Sequence, residues 1–386
     1  MERIKVAFLS APAFADCDVP LVAALQQYLD ITYILNVSQG SKQQSMLNIC
    51  ELNRDNGIYP ANEIEGLENI VHYVNQSSVY VDWHGRSDRK SLIEAGIRLY
   101  RFLKKERYDI VHFTWPLAFD GFPLYLLRGK MVLTMHDPLP HSSNVNAMSN
   151  FYRNVALKLV NNFILLNHTQ REEYISTYQL QKKHIYESRL GKYYHLSDLA
   201  VKDSGLRDYV LFFGQISSYK GLDILCEAMR KVKMKMPEAK LIVAGRGDIY
   251  FDINQYVEDG TIDFRNYYIP DEELAGLIKH ASFTVCPYID ATQSGVIMSS
   301  YSLGTPVVVS DVGGLPEMVG NGAYGPIVSA GDTEDLCEVI MDLLKTPEKL
   351  KEYRERIQLE YSEGEHSWEN IARGMVEIYQ DCITKR

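Results

Sequence analysis

No pair among the six cysteines (Cys17, Cys50, Cys226, Cys286, Cys337 and Cys382) stands at CxxC or CxxH spacing, which argues against a disulfide framework and against a zinc site. Cys226, Cys286 and Cys337 fall within apolar runs and read as core. Long hydrophobic stretches are missing too, so no membrane-crossing helix is predicted. The chain passes directly from residues 1–5 into a strand, and no signal peptide is expected. Positive charge is the scarcer sign. A net charge of −10 and a pI near 5.5 argue against a general nucleic-acid binder but leave room for a local basic face. A cytoplasmic location follows as the expectation, with peripheral contact at the inner face of a membrane.

What is present is ordinary soluble-domain composition, 46% hydrophobic and 23% charged over 386 residues, enough for two separate cores. In the first half, apolar runs predict strands at 4–9, 31–37, 80–83, 109–113, 130–135, 163–167 and 185–188. Helical spacing predicts helices at 19–29, 88–105, 144–160 and 169–178. Alternation of β and α implies a largely parallel sheet. Asp18 reads as the N-cap of the first helix, and Asp16 and Asp18 as capping groups. The stretch 39–85 is legible only at 80–83, and the polar run 191–204 reads as a linker. The second half repeats the scheme from the strand at 209–214, giving a second doubly wound α/β domain.

That half is organised around 287–317, PYIDATQSGVIMSSYSLGTPVVVSDVGGLPE. A strand at 282–286 enters the small polar loop Asp290-Ala291-Thr292-Gln293-Ser294-Gly295, and helical spacing resumes at Val296, Ile297, Met298 and Tyr301. This order aims unpaired N–H groups and the positive helix end at whatever lies over the loop, so a phosphate is expected over residues 293–296. Most glycine loops of this kind bind nothing. An earlier strand-loop-helix unit carries a lysine, Lys220-Gly221, suited to phosphate oxygens or else an ordinary surface lysine. In the first half, His136, Asp137 and His141 share a proline-stiffened loop at the carboxyl end of a strand, where active sites form. Holding zinc is the rival use of this cluster. The helix expected at 88–105 has a basic surface (Arg89, Lys90, Arg98, Arg101, Lys104, Lys105, then Arg107), which reads either as a solvated face or as a contact for anionic lipid. Its buried face is expected from Leu92, Ile93, Ile97, Leu99, Phe102 and Leu103.

The ATQSGV loop, the Thr-x-His-Asp-Pro segment and the Lys220-Gly221 pair together resemble the family 4 glycosyltransferases of the GT-B fold. The resemblance covers nearly the whole chain and is strongest over 209–317. It implies two Rossmann-like domains facing a cleft: residues 1–196 on the acceptor side, and 205–362 binding a nucleotide-sugar donor. A last helix in 363–386 would cross back to the first domain. It also implies a retaining transfer of a sugar to a hydroxyl of a glycan or lipid-linked acceptor, with no metal and no other cofactor. By position, His136 would face the transferred sugar, Lys220 the diphosphate and Asp290 the sugar. The donor contacts would be Gly214, Gln215, Gly245, Arg246, Tyr268, Ile269, Gln293, Ser294, Gly295, Val296 and Ser299. The acceptor side would include Asp16, Asp18, Asp137 and His141.

Three departures stand out. Gln215 and Ser217 occupy positions where many members carry an arginine, and Ala291 and Ser299 replace two glutamates; Asp290 is offered as the substitute for the first. The first loop has none of the glycines common there. Two alternatives therefore stay open: a catalytically weakened nucleotide-sugar-binding subunit, and a nucleotide-sugar 2-epimerase of the same fold. Base, sugar, linkage, acceptor and oligomeric state are not encoded legibly.

Overall fold

The computed structural model describes residues 3–44, 46–50, 52, 54–85, 88–139, 147–199 and 205–386. The chain divides into two compact units. The first comprises Met1–Pro138, Val145–Gly191 and Glu365–Arg386, and the second Leu139–Asn144 and Lys192–Gly364.

Among the described residues the first unit holds an eight-stranded sheet built from β1 (Lys5–Ser10), β2 (Asp30–Ser38), β3 (Gly57–Pro60), β4 (Val79–His84), β5 (Ile110–Phe113), β6 (Met131–Met135), β7 (Asn162–Leu165) and β8 (His184–Glu187). Their order is β8-β7-β6-β5-β1-β2-β4-β3. Only the edge pair β3–β4 runs antiparallel; the other pairs are parallel. Strand order therefore reverses at β1, with β2 on one side and β5 on the other. The strands are buried on both faces, as parallel strands sandwiched by helices are, so they read as continuous apolar runs in the sequence.

The helix Trp368–Thr384 belongs to this unit. It starts at Ser367, whose side chain accepts from the Asn370 N–H. It is fixed to the sheet by a buried polar chain: the Tyr379 hydroxyl lies 2.6 Å from His112 Nδ1, and His112 Nε2 lies 2.7 Å from Thr134 Oγ1. Burial drives the His112 pKa down to about 3, with the neighbouring His136 adding to the effect, so the ring is neutral and takes part as one donor and one acceptor.

The second unit holds a six-stranded parallel sheet among the described residues: β9 (Tyr209–Phe213), β10 (Leu241–Gly245), β11 (Ile262–Asn266), β12 (Ala281–Cys286), β13 (Val307–Ser310) and β14 (Ile327–Val328). Its order is β11-β10-β9-β12-β13-β14. Successive residues of β9 face opposite ways. Val210 and Phe212 pack with Leu225, Met229 and Ile340 on one side, whereas Tyr209, Leu211 and Phe213 pack with Leu277 and Ile278 on the other. The chain thus carries two doubly wound α/β units, each with a topological switch point beside its first strand.

Several sequence expectations are corrected. The first helix is Ala15–Leu25, four residues earlier than expected, so Asp18 is an interior helix residue, 4% exposed, and not an N-cap. Pro20 lies inside this helix. The expected linker contains the helix Tyr194–Asp198, whose Leu196 joins the second unit's core. In the helix Arg89–Glu106 the buried residues are Ala95, Gly96, Leu99 and Leu103, while Ile93 is 40% exposed. Arg98 leaves the basic surface, its Nη2 lying 3.3 Å from Asp82 Oδ1. The segment 39–85, mostly unread, supplies β3, β4 and a two-residue hairpin, Gln43–Gln44 with Leu47–Asn48.

Candidate functional site

In the second unit the switch point lies between β9 and β12. The loop after β9 turns at Gly214 and ends at Gly221, whose φ of +64° lies in the left-handed region. A Cβ on Gly221 would stand 2.0 Å from the Pro287 carbonyl oxygen, so this position requires glycine both for its conformation and for the close approach of the loop after β12. The two loops are also bonded directly, the Ile289 N–H donating to the Tyr219 carbonyl at 2.8 Å. The Gly314 N–H donates to the Thr292 carbonyl at 3.1 Å, bringing in the loop after β13.

This interlock sets Lys220 beneath the helix Gly295–Ser302. The place of a Cβ on Gly214 is 3.6 Å from Lys220 Nζ and 3.5 Å from Val296 Cγ2. Lys220 is only 8% exposed, and its Nζ stands 5.5 Å from the centroid of the Tyr288 ring. Burial lowers its pKa; the one opposing influence is the Cys286 thiol, itself pushed up to about 11 chiefly by burial. Among the described residues no carboxylate balances Lys220, and a buried ammonium without one is costly unless an anion arrives. Gly295 and Val296 are the first two residues of the helix, so their N–H groups have no intrahelical acceptor. Ser294 differs from expectation: its N–H donates to Met318 Sδ at 3.4 Å, and its hydroxyl lies 3.3 Å from the Tyr288 hydroxyl. Gln293, Asp290 and Ser299 are half-buried, and Ala291 is buried.

Beside this anion-suited floor is a cavity of about 290 Å³ lined by Gly214, Gln215, Gly245, Arg246, Tyr268 and Ile269, with Tyr267, Asp271 and Leu274. The first six, named from the sequence, are thus brought together. The cavity's back wall depends on Gly245, where a Cβ would stand 1.8 Å from the Gly214 carbonyl oxygen. Tyr268 is 72% exposed and Arg246 is exposed. Sequence reasoning missed Tyr288 and Asp271. Tyr288 follows directly on Pro287 in the singled-out segment; Asp271, at the first turn of the helix Asp271–His280, accepts from or pairs with His195 Nε2 at 3.0 Å, a contact no local pattern announces.

In the first unit, His136 follows β6 at its carboxyl end and stacks on Phe14, ring centroids 4.1 Å apart and planes 17° from parallel. The ring is half-buried, and burial draws its pKa down to about 4 against the opposite pull of Asp137. It is therefore a neutral hydrogen-bonding group at physiological pH. Asp18 lies close by. Ser10 Oγ donates to Asp18 Oδ2 at 2.6 Å, yet burial outweighs its hydrogen bonds from Ser10, Thr114 and Cys17 and raises the carboxyl to about 7. Cys17, Asp18 and His136 each place one ligand atom within 4.8 Å of the others. That spacing suits a metal, but burial and the charges of Asp18 and Asp16 hold the Cys17 thiol protonated. Asp16 stands in the first turn of the same helix, Asp137 is half-buried, and His141 lies outside the described residues.

Two family models match the chain. One, described as Glycosyltransferase Family 4, covers residues 58–186, and one described as Glycosyl transferases group 1 covers 207–346. The alpha-maltose-1-phosphate synthase of Mycolicibacterium smegmatis is 30% identical over 194 residues, 45% of this chain and 48% of that protein. Several curated relatives match in this way, over about half of their own length. The phosphatidyl-myo-inositol mannosyltransferase of Mycobacterium leprae is similar over 89% of this chain and 94% of its own, at 22% identity. Among solved structures, Anabaena HepE in complex with UDP and glucose superposes with a TM-score of 0.65 at 14% identity, over 98% of this chain and all of that one. The shared architecture is the two-domain GT-B fold.

Proposed function

Because the chain belongs to the family 4 glycosyltransferases, we propose that it moves a sugar from a nucleoside diphosphate sugar to a hydroxyl of a glycan or lipid-linked acceptor, with retention of configuration. One observation carries this reading: Lys220 is a buried cation without a carboxylate partner among the described residues, placed at the switch point beside the start of the helix Gly295–Ser302. Such a position suits the diphosphate leaving group, on which negative charge grows as transfer proceeds. In that step the bond from the anomeric carbon to the diphosphate oxygen breaks with its electron pair on the oxygen. The acceptor oxygen bonds to the same face of that carbon, and its proton passes to the departing phosphate. Lys220 and the N–H groups of Gly295 and Val296 hold the diphosphate. The cavity edged by Tyr267 and Tyr268 receives the base, to which aromatic faces offer stacking.

The family resemblance assigns His136 a contact with the transferred sugar, and its neutral state suits hydrogen bonding to a sugar hydroxyl. The mannosyltransferase similarity supports a lipid-linked acceptor, and the HepE complex supports a uridine nucleotide. No metal is assigned, since Lys220 supplies the countercharge. The exposed Arg89, Lys90, Arg101, Lys104, Lys105 and Arg107 support contact with anionic lipid from the cytoplasmic side, given that no helix of the described residues is long and apolar enough to cross a membrane.

The test is thermal unfolding with UDP, GDP, ADP and their common sugar conjugates, followed by product analysis with the nucleotide that stabilises. At a hundredfold its dissociation constant, a ligand adds about 2.7 kcal/mol, a rise of a few degrees. A glycosylated acceptor is the expected product. Binding without product would make the protein a nucleotide-sugar-binding subunit, and an isomerised sugar would make it a 2-epimerase. No stabilisation by any nucleotide would overturn the reading.

A further inference from the structure

A second recess lies in the first unit, where the proposed reading assigns the acceptor but no subsite. It is a cavity of about 160 Å³ at the carboxyl ends of β1, β2, β4 and β5, bounded by the helix Arg89–Glu106 and the 3₁₀ segment Phe119–Lys130. Its polar wall is Asn36, Asp82 and His84; its apolar wall includes Trp115, Leu117 and Phe113. Asp82 and His84 stand two apart on β4 and so share one face of the sheet. They are 1% and 6% exposed. His84 Nε2 lies 3.0 Å from Asp82 Oδ2 and 3.0 Å from Asn36 Nδ2.

We propose that this recess binds a neutral, hydroxyl-rich ring, a sugar or cyclitol of the acceptor. This deepens the glycosyltransferase reading and rests on it for the word acceptor.

Three features carry the inference. The polar wall offers a carboxylate, an imidazole and an amide side by side, a set that both donates to and accepts from adjacent hydroxyls. The apolar lining adds the aromatic side chains Trp115 and Phe113, a residue type that packs against the C–H groups of a saturated ring. At about 30 Å³ per water, the volume holds some five waters, the scale of one six-membered ring with its substituents. The recess also excludes anions. Its carboxylate is already matched by the Arg98 guanidinium, so a phosphate brought alongside Asp82 would meet like charge, with the neighbouring guanidinium already engaged. Gly96, buried in mid-helix where glycine is a poor helix former, also lines the cavity.

Trp115 supplies the readout. The chain has three tryptophans, of which Trp83 and Trp368 are 0% and 4% exposed, while Trp115 is half-buried at the recess. Titrating the full chain with methyl α-D-mannopyranoside, methyl α-D-glucopyranoside and myo-inositol, and separately with inorganic phosphate, is the experiment. The neutral rings are expected to change tryptophan emission saturably, and phosphate is not. Trp115→Phe should remove the optical signal while calorimetry still registers the ring. Ala118→Phe, at the half-buried start of the 3₁₀ segment, fills the recess and should weaken binding at least tenfold with an unchanged Tm. Asp82→Asn should weaken binding similarly if it folds. No response to any neutral ring, or a response equal in Ala118→Phe, overturns the proposal. A parallel nucleotide titration separates the two readings: UDP stabilisation without ring binding defeats only this subsite, whereas ring binding without stabilisation by any nucleotide defeats only the transferase assignment.

Discussion

Lys220 Nζ stands 5.5 Å from the centroid of the Tyr288 ring, over its aromatic face. A cation held this way is partly desolvated before any ligand arrives, so its attraction for an anion is less screened than at the surface. Lys220→Ala is expected to lower turnover by about a hundredfold to a thousandfold, the range for losing one charge-stabilising group. The fold should persist, since among the described residues the charge makes no ion pair that the substitution would break. Steady-state kinetics with the identified donor, alongside circular dichroism, checks both halves; full activity in a folded variant would refute the site.

His136→Ala is expected to reduce kcat more than it weakens nucleotide binding, because the ring is assigned to the sugar and not to the diphosphate. Isothermal titration with the nucleotide and initial rates with the nucleotide sugar would be compared. A variant with normal turnover removes His136 from the mechanism.

Asp18 gives a pH signature. Its carboxyl is raised to about 7 in the folded chain from an ordinary value of 3.8, so the native state holds a proton that the unfolded state releases. The stability contributed by that proton is complete below about pH 4 and is lost as pH rises to about 7. His112 and His136, lowered to about 3 and about 4, act oppositely, weakening the fold as pH falls below 6.5. Asp18→Asn should therefore gain stability relative to the parent between pH 4 and 7, by up to about 4 kcal/mol at about 1.4 kcal/mol per unit. Chemical denaturation at pH 5 and pH 8 measures it. A constant difference between the two proteins would show that Asp18 stays ionised.

Chelation with EDTA is expected to leave activity unchanged. If activity falls and zinc restores it where magnesium does not, then Cys17, Asp18 and His136 hold a metal after all, and the protonated state drawn for Cys17 is wrong.

Co-sedimentation with vesicles should rise with the anionic lipid fraction and fall in Lys104→Glu/Lys105→Glu. Each basic residue near such a surface contributes about 1 kcal/mol. Equal pelleting with neutral and anionic vesicles would leave the helix as a solvated face.

The parallel strands were legible because burial on both faces writes them as runs such as Tyr209–Phe213. The first helix was misplaced for an equally physical reason. Pro20 favours a helix start near residue 19, but the chain carries it as an interior residue and forgoes the N–H it would have donated one turn back. That shift moves Asp18 from a solvated cap into a buried cluster. The Lys220 loop could be read locally because the lysine, its glycine and the preceding strand are consecutive. The Asn36, Asp82, His84 and Trp115 recess could not, since these residues come from two strands and a loop, and the stretch that leads into β4 has neither period.

The hydrogen bond between Tyr379 and His112 has a consequence for synthesis. His112 emerges from the ribosome more than two hundred and fifty residues before its partner, and the whole second unit is made in the interval. Until the last helix appears, the nascent first unit lacks the hydroxyl that pairs with His112 and the helix that packs on Ala15–Leu25. The second unit needs no residue from that helix and is free to fold first. With this connectivity all of the second unit is synthesised before the first is complete, and a ribosome stalled before residue 368 would hold a whole second unit joined to an unfinished first unit, a natural client for chaperones.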